Sequence, residues 1–258
     1  MAQRILLDGV DNFRDFGGYA TADGRRLKHG RLYRSASHGR ATDGDLDVIA
    51  GLNIATIVDL RRRGERLRDP SRRGAGFAGT VIDNDLGDDE EDEWLAHLRQ
   101  SDLTEASFRT YLLAYYDKAP RDPRHIDLFA RFFQALAAAD GAVLIHCAAG
   151  KDRTGILTAL THHLAGVHRD DIVGDYLLTN DEERFERRAP QVVELIHGVA
   201  GRTPSLAAVR VAMGVEAAFL ERAFAAIERE HGDLDSYLDS RLGVDRRLRQ
   251  ALEARLLD

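Results

Sequence analysis

The ten residues from His146 to Gly155, reading His-Cys-Ala-Ala-Gly-Lys-Asp-Arg-Thr-Gly, constrain this chain more than any other stretch. Ahead of them Ala142-Val143-Leu144-Ile145 is a short apolar run that reads as a buried strand, and after them Ile156, Leu157, Leu160 and Leu164 recur at helical spacing. The ten residues therefore join the C-terminal end of a strand to the N-terminus of a helix, a place where backbone N–H groups and the positive helix end face an anion. Cys147, the one cysteine of the chain, gains thiolate character in such surroundings. Arg153 carries a planar fork of donors that matches two phosphate oxygens. Nucleophile, anion cradle and clamp together point to phosphate-ester chemistry through a covalent phosphocysteine. A merely buried apolar cysteine would leave Gly150, Lys151, Asp152 and Arg153 unexplained.

A cysteine, five intervening residues, an arginine and a threonine resemble the signature loop of the cysteine-dependent protein tyrosine phosphatase superfamily. The full string from His146 to Gly155 is similar to that of the bacterial branch called PtpB-like or LipA-like. The resemblance continues through Asn12–Tyr19, Gly30–Ser35, Asp59-Leu60-Arg61 with Glu65, and Asp170–Asn180, and more weakly through Gly232–Leu238. It implies hydrolysis of phosphomonoesters: phosphotyrosine, with phosphoserine, phosphothreonine and phosphoinositides as further substrates of dual-specificity-type members. The expected partner is a phosphorylated protein, a peptide or a phosphoinositide headgroup, and neither metal nor cofactor is required. Two other readings are a phospho-ligand binding module without turnover, whose usual mark is a missing Cys or Arg, and a rhodanese-type sulfurtransferase, whose loop is typically a residue shorter.

With 258 residues, 44% of them hydrophobic, and five prolines, the chain suits one catalytic domain over residues 1–258. A net charge of −7 gives no general attraction to nucleic acid or an anionic membrane, so a phosphate must be drawn by local potential at the loop. One cysteine excludes an intramolecular disulfide framework. With no apolar leader in residues 1–10 and no segment of membrane-spanning length, the expectation is a cytoplasmic protein without stable membrane insertion. Export by a non-classical route stays open, and the oligomeric state is not legible.

The predicted architecture is α/β, a central mostly parallel sheet flanked by helices with a helical C-terminal third. Ala22-Asp23-Gly24 reads as a hairpin turn. Thr42 with Asp45 predicts a helix N-terminus, although Glu or Gln is the usual partner there, and that helix runs to about Gly51. Ile54–Val58 and Thr80–Ile82 read as strands, the first delivering Asp59, Leu60 and Arg61 to the edge that holds Cys147 if the strands are parallel. Arg14, Asp15 and Arg34 are expected to form an ion-pair set bracing the loop. Residues 61–73 hold seven arginines, either a basic rim for phosphorylated ligands or a solvated run of local pairs, with Arg61 the most site-facing. The acidic run Asp88–Glu93 predicts a helix N-terminus. Residues 88–118 predict two helices in the position of a lid, the second with Phe108, Tyr111, Leu112 and Tyr115 on one face. Ile126, Phe129, Phe133 and Leu136 mark an amphipathic helix leading to the catalytic strand. His162, His163 and His168 read as packing or surface residues, not metal ligands.

In the mechanism these residues imply, the backbone of Ala148, Ala149, Gly150, Lys151, Asp152 and Arg153 holds the phosphate and Cys147 attacks it. Thr154 donates its hydroxyl to the thiolate, while His146, Asp59 and Arg61 support the loop. The leaving oxygen needs a proton donor, and two residues compete for that role: Asp85, after the third predicted strand, and Asp152, inside the loop. Lys151 adds a charge suited to a second phosphate.

Overall fold

The computed structural model describes residues 2–87 and 92–258, so 88–91 of the acidic run lie outside the described residues. The strands β1 (Gln3–Arg4), β2 (Arg14–Asp15), β3 (Leu32–Ser35), β4 (Ile54–Asp59), β5 (Thr80–Ile82) and β6 (Ala142–His146) form a sheet in the order β1-β2-β3-β6-β4-β5. The pairs from β1 to β3 are antiparallel; those joining β3, β6, β4 and β5 are parallel. The mostly parallel α/β sheet expected from the strand–helix–strand order is therefore present.

Register explains how the site assembles. His146 lies opposite Ser35 on one side and Asp59 on the other. The chain leaving β3, β4 and β6 thus emerges at one sheet edge, the carboxyl end where α/β folds place their ligands. Along β6 the side chains alternate: Val143 and Ile145 join one apolar cluster with Leu32 and Val58, whereas Ala142 and Leu144 join another with Tyr33 and Ile57.

The second cluster is covered by α1 (Asp43–Ala50) through Leu46 and Ile49. Thr42 caps α1, and Asp45 completes the reciprocal bond although it is shorter than the usual glutamate. Asp45 does so because its two oxygens also collect the N–H groups of Asp8 and Gly9, each at 2.8 Å, which tie the N-terminal segment to the helix.

The other face carries α2 (Arg63–Arg68), α3 (Glu93–Gln100), α4 (Glu105–Lys118), α5 (Pro123–Ala138), α6 (Asp152–Leu164), α7 (Arg169–Leu177) and the helices that follow. Asp92, the last residue but one of the acidic run, caps α3. Within the span 88–118, Leu98 of α3 and Phe108, Leu112 and Tyr116 of α4 are buried in the main core. The apolar stripe of α5 is wider than its spacing suggested, adding Leu128 and Phe132 to Phe129, Phe133 and Leu136. The helical C-terminal third, α8 (Glu182–Ala200), α9 (Leu206–Met213), α10 (Ala217–His231), α11 (Leu234–Ser240) and α12 (Arg246–Leu256), extends that core through Phe219, Leu220, Phe224, Leu238 and Leu252.

Helix α6 is buried almost all round, and it hides two hydroxyls, of Thr154 and Thr158, that have no hydrogen-bond partner among the described residues. A buried donor left unpaired costs about 1–3 kcal/mol. Thr158→Val, which keeps the shape and removes the hydroxyl, should raise the melting temperature by about 2–4 °C for each kcal/mol regained. Scanning calorimetry checks this, and a lowered melting point would show that the hydroxyl is satisfied after all.

Candidate active site

The loop between β6 and α6 is shaped from beneath. Gly150 has φ +66°, and a Cβ on it would lie 2.4 Å from the Ser35 carbonyl oxygen, so only glycine fits. Its carbonyl accepts from Asn12 Nδ2 at 2.8 Å and Arg34 Nη2 at 2.9 Å, and the Ala148 carbonyl accepts from the Ser37 N–H at 3.0 Å. With those carbonyls turned to the scaffold, the N–H groups from Ala148 through Arg153 have no acceptor among the described residues. A run of unfilled donors at a helix N-terminus is what an oxyanion requires. Cys147 lies at the bottom of this loop, 2% exposed, while Ala148 above it is exposed.

Arg153 does not turn outward. Its two terminal nitrogens grip the Glu65 carboxylate of α2 at 2.5 and 2.8 Å, and one also reaches the Leu60 carbonyl at 3.1 Å. Burial opposes ionisation of Glu65, yet the charge and hydrogen bonds of Arg153 outweigh it and hold the carboxyl at about 2. The guanidinium is thus preset beside the loop and needs no reordering to meet a phosphate.

Below the loop His146 is buried and stacked on His38, ring centroids 5.2 Å apart, with its Nε2 3.6 Å from Asp59 Oδ2. Burial, partly offset by Asp59, pushes the His146 imidazole down, and burial with His146 alongside takes His38 to about 3. Both rings are neutral packing pieces at physiological pH. Arg61 holds Asp59 through two nitrogens and spends its remaining donors on Ser37, Ser71 and the Asp69 carbonyl.

Asp152 opens α6. One carboxylate oxygen accepts from the Tyr116 hydroxyl at 2.9 Å and from Lys151 Nζ at 3.1 Å. Lys151 is itself buried, its Nζ also 3.4 Å from the Gly214 carbonyl oxygen. Asp85 stands apart, its side chain 56% exposed after β5 and ion-paired with Arg66 of α2.

A family model described as the tyrosine phosphatase family matches residues 5–258. The chain belongs to that family. It is a phosphatase of the protein-tyrosine and dual-specificity type, on the PtpB-like bacterial branch. A candidate tyrosine-protein phosphatase of Cupriavidus necator is 33% identical over 244 residues, covering 93% of this chain and 85% of the relative. The triple specificity protein phosphatase PtpB of Mycobacterium tuberculosis is 32% identical over 275 residues, covering 90% of this chain and 91% of its own. A tyrosine-protein phosphatase of Nostoc commune is 31% identical over 237 residues, covering 86% and 73%.

Around the phosphatase loop several placements differ from expectation. Arg14 and Arg34 do brace it, but their shared partner is Asp175 of α7, 3.2 Å from Arg14 Nε and 2.9 Å from Arg34 Nη1. Asp15 instead collects the N–H groups of Gly17 and Gly30 at 2.7 Å each, because β2 turns it toward that corner. The arginine-rich stretch is not a single rim: 63–68 is helical, Arg61 is 1% exposed within the scaffold, and Arg68 and Arg72 pair with Asp92 and Asp43. Lys151 faces Asp152 rather than open solvent.

Glu65, Tyr116 and Asp175 were missed as site residues. Glu65 carried a signal, its place four residues after Arg61 in a string resembling the branch. Tyr116 was not among the residues placed on the aromatic face of that helix; its ring is core, and its hydroxyl reaches Asp152. Among the described residues no helix is long and apolar enough to cross a membrane, and no cluster of three metal-ligating side chains occurs.

Proposed function

We propose that this phosphatase hydrolyses phosphotyrosine, and beyond it phosphoserine, phosphothreonine and phosphoinositide monoesters, through a phosphocysteine intermediate. The observation that carries this is the run of N–H groups from Ala148 to Arg153, directly after Cys147, that have no acceptor among the described residues. The Cys147 thiolate attacks phosphorus, the bond to the leaving oxygen breaks, and that oxygen takes up a proton from a carboxyl group beside the loop. Water then attacks phosphorus, the S–P bond breaks, and the water's proton passes back to the same carboxylate. The loop amides and Arg153 meet the charge spread over the equatorial oxygens. Thr154, whose buried hydroxyl has no partner among the described residues, would turn that hydroxyl to the sulfur as it leaves phosphorus. The substrate range follows the name of the Mycobacterium tuberculosis relative, triple specificity.

For the proton we assign Asp152. It lies one residue from Arg153 and is held as a hydrogen-bond acceptor by Tyr116 and Lys151, an arrangement suited to taking the proton from water in the second step. Asp85 is the second reading, favoured by its place on the loop after β5, where Arg66 clasps it and the Asn84 carbonyl. Initial rates on a phosphotyrosyl peptide, a phosphoseryl peptide and a soluble phosphoinositide, taken across the acid and neutral range, test both points. Asp152→Asn should lose an ionisation from the pH–rate profile and fall by about 10²–10⁴-fold, whereas Asp85→Asn should keep the profile. The reverse result transfers the role to Asp85, and hydrolysis of the phosphotyrosyl peptide alone would sink the broad specificity.

A further inference from the structure

We propose that Tyr116 and Tyr176 are positioning residues that hold the Asp152 carboxylate in its working orientation, and that Gly155 belongs to the loop string in order to admit them. This rests on the assignment of proton transfer to Asp152.

Three elements converge here. Tyr116 comes from α4, Tyr176 from α7 and Asp152 from the first turn of α6. The Tyr116 hydroxyl donates to Asp152 Oδ1 at 2.9 Å and lies 2.6 Å from the Tyr176 hydroxyl. Since Tyr116 has one proton and gives it to the carboxylate, Tyr176 is the donor to Tyr116. Both rings are 1% exposed or less and meet edge to face at 6.3 Å. Burial keeps both phenols well above their ordinary range, Asp152 reinforcing it, so neither donor is lost at working pH.

Gly155 is the part of the string that a phosphate cradle does not explain. It lies inside α6 without positive φ, where glycine costs about 1 kcal/mol relative to alanine. A Cβ there would stand 2.8 and 2.9 Å from Cε2 and Cδ2 of the Tyr176 ring. The missing methyl is the space that lets Tyr176 lie against α6 and set Tyr116. The other groups that face Asp152 are Lys151 from the loop, Tyr111 and Tyr115 from α4, and Arg184 from α8. Of these Lys151 bonds the carboxylate, Arg184 acts on it through charge, and Tyr111 and Tyr115 are neutral phenols.

The test is kcat and KM on a phosphotyrosyl peptide for Tyr116→Phe, Tyr176→Phe and Gly155→Ala, each in the wild-type and the Asp152→Asn background. Tyr116→Phe should lower kcat roughly tenfold with KM little changed, because the carboxylate loses the donor that orients it. Tyr176→Phe should act in the same direction and less, and Gly155→Ala, which displaces the ring without removing a hydroxyl, should also lower kcat. None should slow the Asp152→Asn enzyme further. An unchanged kcat, or equal slowing in both backgrounds, would reduce the tyrosines to packing. A wild-type rate in Asp152→Asn alone would remove the carboxylate's role, and the proposal with it.

Discussion

Cys147→Ser should lower phosphate release by at least about 10⁴-fold while binding of a phosphotyrosyl peptide changes only a few-fold. The split follows from which atoms do which job. In the proposed mechanism the anion is held by the N–H groups of Ala148–Arg153 and by Arg153, whose position is set by Glu65 and the Leu60 carbonyl, none of which depends on sulfur. A serine hydroxyl in the same place is a far weaker nucleophile than a cysteine sulfur. Acid quenching during turnover of labelled peptide should leave phosphate on the wild-type chain and none on the variant. Retained turnover in Cys147→Ser would end the phosphocysteine mechanism. A wild-type chain that binds the peptide and never turns it over would be a reader of phosphate, not a phosphatase.

Asp175→Asn should be the most damaging single substitution beneath the site. Asp175 is 1% exposed and is the carboxylate that Arg14 and Arg34 share, themselves at 1% and 0%. Removing the charge leaves two buried guanidinium groups uncompensated, a class of change that costs about 3–5 kcal/mol. For a chain of this size the melting temperature should fall by roughly 10 °C or more. Activity should fall as well, because Arg34 is the donor that pins the Gly150 carbonyl away from the anion cradle.

The same residue dictates a pH dependence. Burial opposes its ionisation, but Arg14 and Arg34 outweigh burial and hold the carboxyl well below the ordinary range. A group depressed on folding contributes fully above its unfolded value, about 3.9 for aspartate, and the contribution drains away as pH falls below that. Melting curves of wild type and Asp175→Asn should therefore lie apart at neutral pH and draw together in acid. Curves that stay parallel would mean that the charge of Asp175 is not what stabilises the pair.

The chain by itself determined whatever depends on near neighbours. The strand before Cys147, the helix after Arg153, the Thr42 cap and the β-rich run into Asp59 are readable because apolar period, capping and turn chemistry act within a few residues. What only the tertiary structure decided are choices among chemically equal partners far apart in sequence. Arg34 had Asp15 within twenty residues and took Asp175, 141 residues away. Arg153 found Glu65 across 88 residues, and Tyr116 found Asp152 across 36. Charge and hydrogen-bonding capacity are written in the residue names. Which carboxylate meets which donor depends on how strand register and helix packing aim them, and that direction is set by the whole core at once.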